Sequence, residues 1–286
     1  MHAEVRRGGS ETIGIVAGNG RLPTDLAERI SLDGRHPFVV GIRGEAETSI
    51  ERFDHQWLDW GRFGSVFNLL RARHAKRLLF VGGIARRPDL HLRHLDWTTA
   101  KALPSLLAML MAGDDTILSG VLSLFEKEGF ELLSVPQVAP ELMLPLGGAF
   151  GPRAGAGALE QMARAAEVVR ALGPFDVGQA VVVCGTRVVA IEGVEGTDAT
   201  LERVVHLRDT GRLSDRRDGV LVKVPKPGQD MRVDLPTIGP RTIVNAAAAG
   251  LTAVGGEAGS TIVLDMERVR ALADTHRISV QGLERS

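Results

Sequence analysis

The stretch TIGIVAGNGRLPTDLAERISLDG, residues 12–34, restricts the fold more than any other. From Thr12 to Ala17 the chain is almost continuously apolar, as a strand covered on both faces requires; glycines follow at 18 and 20, and apolar positions then recur at helical spacing from Leu22 to Leu32. This is the opening half of a βαβ unit. HPFVVGI, residues 36–42, supplies a second strand, and RFGSVFNLLRARHAKRLLFVGGI, residues 62–84, repeats helix then strand and closes on Gly82 and Gly83. Such alternation predicts a parallel sheet covered by helices.

Two further helices, at 97–113 and 114–130, and a short strand in ELLSVPQVAPEL complete the first half. At 286 residues the chain exceeds the size at which a single core stops growing, so two domains are expected. PQVAPELMLPLGGAFG, residues 136–151, carries three prolines and three glycines and marks the boundary. The reading is α/β throughout: a Rossmann-like parallel-sheet domain over 1–136, a Pro/Gly-rich linker over 137–151, and a mixed α/β domain over 152–286. In the second domain the pattern predicts an Ala-rich helix over 153–172, then two antiparallel strands turning at Gly185 and Thr186. A helix N-capped by Thr197 or Asp198 follows, then strands in GVLVKV and STIVLD and helices in TIVNAAAAGL and MERVRALADTH.

Composition removes several classes of function. A net charge of −1 leaves no overall basic field for nucleic acid. The first ten residues lack the apolar core of a signal peptide, and the longest apolar stretch, 102–113, is too short for a bilayer span and contains Pro104. Peripheral membrane contact stays open. The one cysteine, Cys184, lies in the apolar run AVVVC and reads as a buried, inert thiol suited to a reducing compartment.

Three segments carry candidate chemistry. In GIVAGNGRLP, Gly18, Asn19, Gly20 and Arg21 stand between a strand and a helix, where backbone N–H groups and the helix dipole suit a phosphate; the same glycines also serve a tight βα turn. Pro23 replaces the third glycine of a dinucleotide fingerprint and Arg43 the ribose-binding acid, which disfavours NAD. Gly82 and Gly83 open a second such loop, with Arg86 and Arg87 beyond it, and Asp114 with Asp115 is either a metal pair or a helix start. VKVPKPGQDMRVDLPTIG, residues 222–239, reads as an extended arm stiffened by Pro225, Pro227 and Pro236. Asp230 and Asp234 offer hard oxygens to Mg²⁺, and Lys223, Lys226 and Arg232 offer charge to phosphoryl oxygens; a surface arm with internal salt bridges is the alternative. Glu192 and Glu195 in AIEGVEGTD are further acids, while the histidines lack zinc spacing.

Taken together, IGIVAGNGRLP, LLFVGGIARRP, GDDTIL, AIEGVEGTD and KVPKPGQDMRVDLPTIGPRTI occur in an order that resembles the LpxI family over nearly the whole chain, from about Ile13 to Ser279. The resemblance implies a cytoplasmic, Mg²⁺-dependent, homodimeric hydrolase that cleaves UDP-2,3-diacylglucosamine into UMP and 2,3-diacylglucosamine 1-phosphate, lipid X, with the product lying between the domains and water attacking the phosphorus nearer the sugar. It places the essential aspartate in GQDMRVD, at Asp230 rather than Asp234 because Gln229 precedes it. The site so implied has Gly18, Asn19, Gly20, Arg21, Gly82 and Gly83 on the nucleotide or phosphate. Asp230 and Asp234, with Glu192 as a third candidate, hold the metal; Lys223, Lys226 and Gln229 complete the catalytic set. A nucleotide-sugar or lipid-binding regulator without catalysis is the competing reading.

Overall fold

A computed structural model describes residues 11–84 and 114–285, with side chains omitted for 114–118. The chain divides into two compact units, Met1–Ala139 and Pro140–Ser286. In the first, β1 (Thr12–Ala17), α1 (Leu22–Leu32), β2 (His36–Ile42), β3 (Asp54–Leu58), α2 (Val66–Ala72), β4 (Arg77–Val81), α3 (Asp114–Lys127), β5 (Glu131–Leu132) and the single turn α4 (Val135–Val138) follow one another. The strands form one parallel sheet in the order β3-β2-β1-β4-β5. Its centre is buried because β1, β2 and β4 are apolar on both faces: Ile13, Ile15, Val39, Val40, Leu78 and Leu79 are shielded from solvent, with Leu26 and Ile30 of α1 and Leu70 of α2 against them.

The second unit contains β6 (Gly147–Phe150), α5 (Ala156–Leu172), β7 (Ala180–Cys184), β8 (Arg187–Ile191), α6 (Gly196–Asp209), β9 (Val220–Lys223), β10 (Thr237–Ile238), α7 (Pro240–Ala248), β11 (Ala253–Glu257), β12 (Ile262–Val263), α8 (Met266–His276) and β13 (Ser279–Leu283). Six strands form a mixed sheet, β6-β13-β11-β9-β7-β8, in which β9, β11 and β13 run parallel and β6 and β7 pair antiparallel to their neighbours. Period-two alternation sorts its residues. Val182, Leu221, Val254 and Val280 face α6, α7 and α8, while Val181, Val183, Val220 and Val222 face Met162, Ala165 and Val169 of α5. β10 and β12 form a separate parallel pair.

Several expectations need amendment. β3 escapes the sequence pattern because DHQWL is an edge strand with one mostly solvated face, so its residues alternate in exposure without an apolar run. The stretch read as a linker contains β6, whose residues pair with Val280–Gly282 of β13. Thr197 and Asp198 do not cap α6: Glu195 holds the N-cap position, and both residues lie in the first turn with their side chains engaged elsewhere. The predicted helix at 97–113 lies outside the described residues.

Phe125 joins α3 to the first sheet. Its fully buried ring lies 4.8 Å from those of Phe67 and Phe80, and Phe63 and Phe130 close the cluster. Phe125→Ala should therefore lower stability by about 3–5 kcal/mol, read as a shift in urea midpoint with unchanged slope. A midpoint indistinguishable from the parent chain would show that the cluster does not hold α3.

Candidate active site

In the first unit the strand order reverses between β1 and β4, and at the carboxyl edge of such a sheet a crevice opens for ligands. Both glycine loops stand there. Gly18 N–H donates to Val81 O (2.9 Å) and Asn19 N–H to Gly83 O (2.7 Å), so the loops are stitched backbone to backbone. Only glycine permits this approach: a Cβ on Gly18 would lie 2.4 Å from Gly83 O, and Gly82, at φ +91°, would place one 2.6 Å from Asn19 O. Two amides that the sequence reading aimed at a phosphate are thus used within the protein. The anion-binding potential of the loop moves to the first turn of α1, where the helix dipole is positive. Arg21 stands at that turn, its guanidinium exposed and paired with Asp25 at 3.0 Å. Arg86, Arg87 and the side chains of Asp114 and Asp115 lie outside the described residues.

In the second unit, antiparallel pairing brings three polar residues to one edge of the sheet. Gln179 immediately precedes β7, Glu192 immediately follows β8, and Lys223, the last residue of β9, pairs with Ala180. Gly178 lets the two segments meet: its N–H donates to Glu192 O (3.1 Å), and a Cβ there would sit 2.6 Å from that oxygen. The Glu192 carboxylate, 7% exposed, accepts from Gln179 N–H (3.0 Å) and Thr197 Oγ1 (2.5 Å). Lys223 is 8% exposed and donates from Nζ to Thr237 O at 3.0 Å. Burial pushes its pKa down, and the Glu192 and Asp234 carboxylates oppose that shift.

The segment after β9 is not the extended arm that its prolines suggest. Gln229 N–H returns to Lys226 O (3.2 Å), and Val233 and Asp234 N–H return to Asp230 O, so two successive turns fold the segment onto the sheet edge. Here the structure separates the candidates. Asp230 is bound by its neighbour Arg232, which donates from Nε (2.9 Å), Nη2 (2.6 Å) and its backbone N–H (3.0 Å); chiefly this guanidinium holds the carboxyl below the usual range. Lys226 Nζ pairs with Asp176 at 2.6 Å. Asp234 instead faces inward, accepting from Gln229 Nε2 and acting on Lys223. Lys223, Glu192, Asp234 and Gln229 therefore come together, whereas Asp230 pairs within the segment with Arg232 and Lys226 pairs outside it with Asp176. Glu195 stays outside; the hydrogen bond from its own backbone chiefly lowers its pKa.

Sequence reasoning passed over Gln179 and Thr197. One glutamine ahead of a strand carries no pattern, and a threonine near a helix start reads as a cap. All acidic donors in the cluster are hard oxygens, which suits Mg²⁺ better than a soft metal. Among the described residues no three His, Cys, Asp or Glu side chains converge as a ready-made metal cage. Mg²⁺ shared with phosphate needs only one or two carboxylates, so the donor set fits.

Comparison with known proteins agrees with this two-unit layout. The family description "LpxI N-terminal domain" matches residues 12–142 and "LpxI C-terminal domain" matches residues 147–281. The chain belongs to the LpxI family. It is similar to the Caulobacter vibrioides protein named UDP-2,3-diacylglucosamine pyrophosphatase LpxI, with 42% identity over 278 residues, covering 95% of this chain and 97% of that one. Within this LpxI chain, the loops that follow β1 and β4 belong to the first unit and the Lys223 cluster to the second.

The Asp230–Arg232 pair has a definite pH signature. A carboxyl whose folded pKa lies below its unfolded value adds stability above the unfolded value, and that increment is lost as pH falls through the folded one. Arg232→Ala should be less stable than the parent at neutral pH, and the difference should shrink as acidification below the ordinary carboxyl range protonates Asp230, followed by urea denaturation. A difference that stays constant with pH would assign Arg232 another role.

Proposed function

We propose that this chain hydrolyses the pyrophosphate of UDP-2,3-diacylglucosamine to UMP and 2,3-diacylglucosamine 1-phosphate, lipid X, with Mg²⁺ as cofactor. The observation that carries the proposal is the 42% identity, spread over 95% of the chain, to a protein named for this substrate. The Lys223 cluster supplies suitable chemistry in the second unit. Water oxygen forms a bond to the phosphorus nearer the sugar, the bond from that phosphorus to the bridging oxygen breaks, UMP leaves with the electron pair, and the proton lost by the water passes to solvent. Negative charge grows on the phosphoryl oxygens as this happens, and Lys223, with Lys226 nearby, steadies it.

Asp230 and Asp234 are the carboxylates proposed to hold Mg²⁺ or orient water, with Glu192 as a further donor. Mg²⁺, when bound, supplies a Lewis acid for the phosphoryl oxygens. Arg232 is already seated on Asp230 and keeps that carboxyl ionised and turned in one direction. The first turn of α1, with Gly20 and Arg21, is proposed to receive the nucleotide phosphate. No helix among the described residues is long and apolar enough to cross a membrane. We propose a cytoplasmic homodimer that meets its acylated substrate at the membrane surface.

Purified protein incubated with UDP-2,3-diacylglucosamine and Mg²⁺ should release UMP, and excess EDTA should abolish that release. Asp230→Ala should reduce turnover by about 100-fold or more in a protein that still folds, with any loss of stability no larger than that of Arg232→Ala. Absence of UMP from the parent chain sinks the reading; near-parental turnover in Asp230→Ala removes that residue from it.

A further inference from the structure

We infer that Gln179 is a positioning residue of the proposed hydrolytic site, acting through Gln229 on the Asp234 carboxylate. The inference rests on the hydrolysis proposed above and adds a residue to it. Its starting point is the direction of one amide group. Gln229 is buried, and its Oε1 accepts the backbone N–H of Lys226 at 2.8 Å. A backbone N–H can only donate, so the oxygen must face it and Nε2 must face the other way. Of the two hydrogens on Nε2, one meets Asp234 Oδ2 and the other meets Gln179 Oε1 at 3.3 Å.

Gln179 is itself held at three points. Its N–H donates to Glu192 Oε2 (3.0 Å), its carbonyl accepts Val224 N–H (3.2 Å), and its side-chain oxygen accepts from Gln229. One residue thus joins Glu192, the root of the folded segment and the amide that aims Asp234. Both of those carboxylates act on the buried Lys223. Removing the Gln179 acceptor leaves a buried Nε2 hydrogen without that partner, and the amide is then free to swing away from Asp234.

Hydrogen bonding makes a prediction that packing alone does not. Gln179→Met keeps nearly the same volume and removes the acceptor; kcat for UMP release should fall by about tenfold with KM unchanged within about twofold. Gln179→Glu restores an acceptor at the same place and should retain kcat within about threefold. Because Gln179 acts through Gln229, the double variant Gln179→Met/Gln229→Met should be no slower than Gln229→Met alone. Parental kcat in Gln179→Met, losses that multiply in the double variant, or a lowered Tm with kcat intact would each overturn the inference. Should Gln179→Met fail to fold, Gln179→Leu decides: parental kcat there overturns the relay, and a fall in kcat with KM unchanged supports it. No UMP from the parent chain would overturn the hydrolysis reading together with the inference, whereas an active parent with an unaffected Gln179→Met overturns the inference alone.

Discussion

The Lys223 amine, buried at the end of β9, makes a strong demand on its surroundings. Removing a charge from water costs several kcal/mol unless partners compensate, and Lys223 has two carboxylates and a carbonyl to do so. Supplying those partners requires three segments to arrive together. Glu192 comes from the end of β8, Thr237 from the start of β10 and Asp234 from the turn between them in sequence. The neighbouring features follow from that demand: a glycine at 178 that lets Glu192 approach, a threonine in the first turn of α6 on one carboxylate oxygen, and a glutamine amide on Asp234.

The first unit meets a different demand. A parallel sheet with its order reversing at β1 leaves two loops side by side, and their backbones touch closely enough that side chains are excluded at Gly18 and Gly82. Closing the loops on each other consumes amides that an isolated glycine-rich loop would present to a ligand. Among the described residues of these loops, the first turn of α1 and Arg21, paired there with Asp25, stand where an anion would meet the helix dipole. A glycine pattern therefore records where two loops meet as readily as where a phosphate rests.

Much of the fold was legible because periodicity is a local property. β1, α1 and β2 begin and end where their apolar runs do, and the turn at Gly185 follows from two valine-rich strands around a glycine. Strand β3 was not legible, since half of an edge strand faces water and its residues resemble a loop. The candidate site was legible in its residue types and in one segment, GQDMRVD, yet not in its pairings. Asp230 and Asp234 look equivalent in a list; only the turn between them sends one to Arg232 and the other to Gln229 and Lys223.

The amino-acid order by itself determined the α/β class, the position of the glycine loops and the membership of the family, because each depends on short-range spacing or on several motifs in register. Tertiary structure alone decided which polar groups share an environment. Gln179 and Lys223 are 44 residues apart in number, and the hydrogen-bond ladder between β7 and β9 makes their positions adjacent. Burial then turns that adjacency into chemistry, since a charge hidden from water takes its properties from whatever the register has placed beside it.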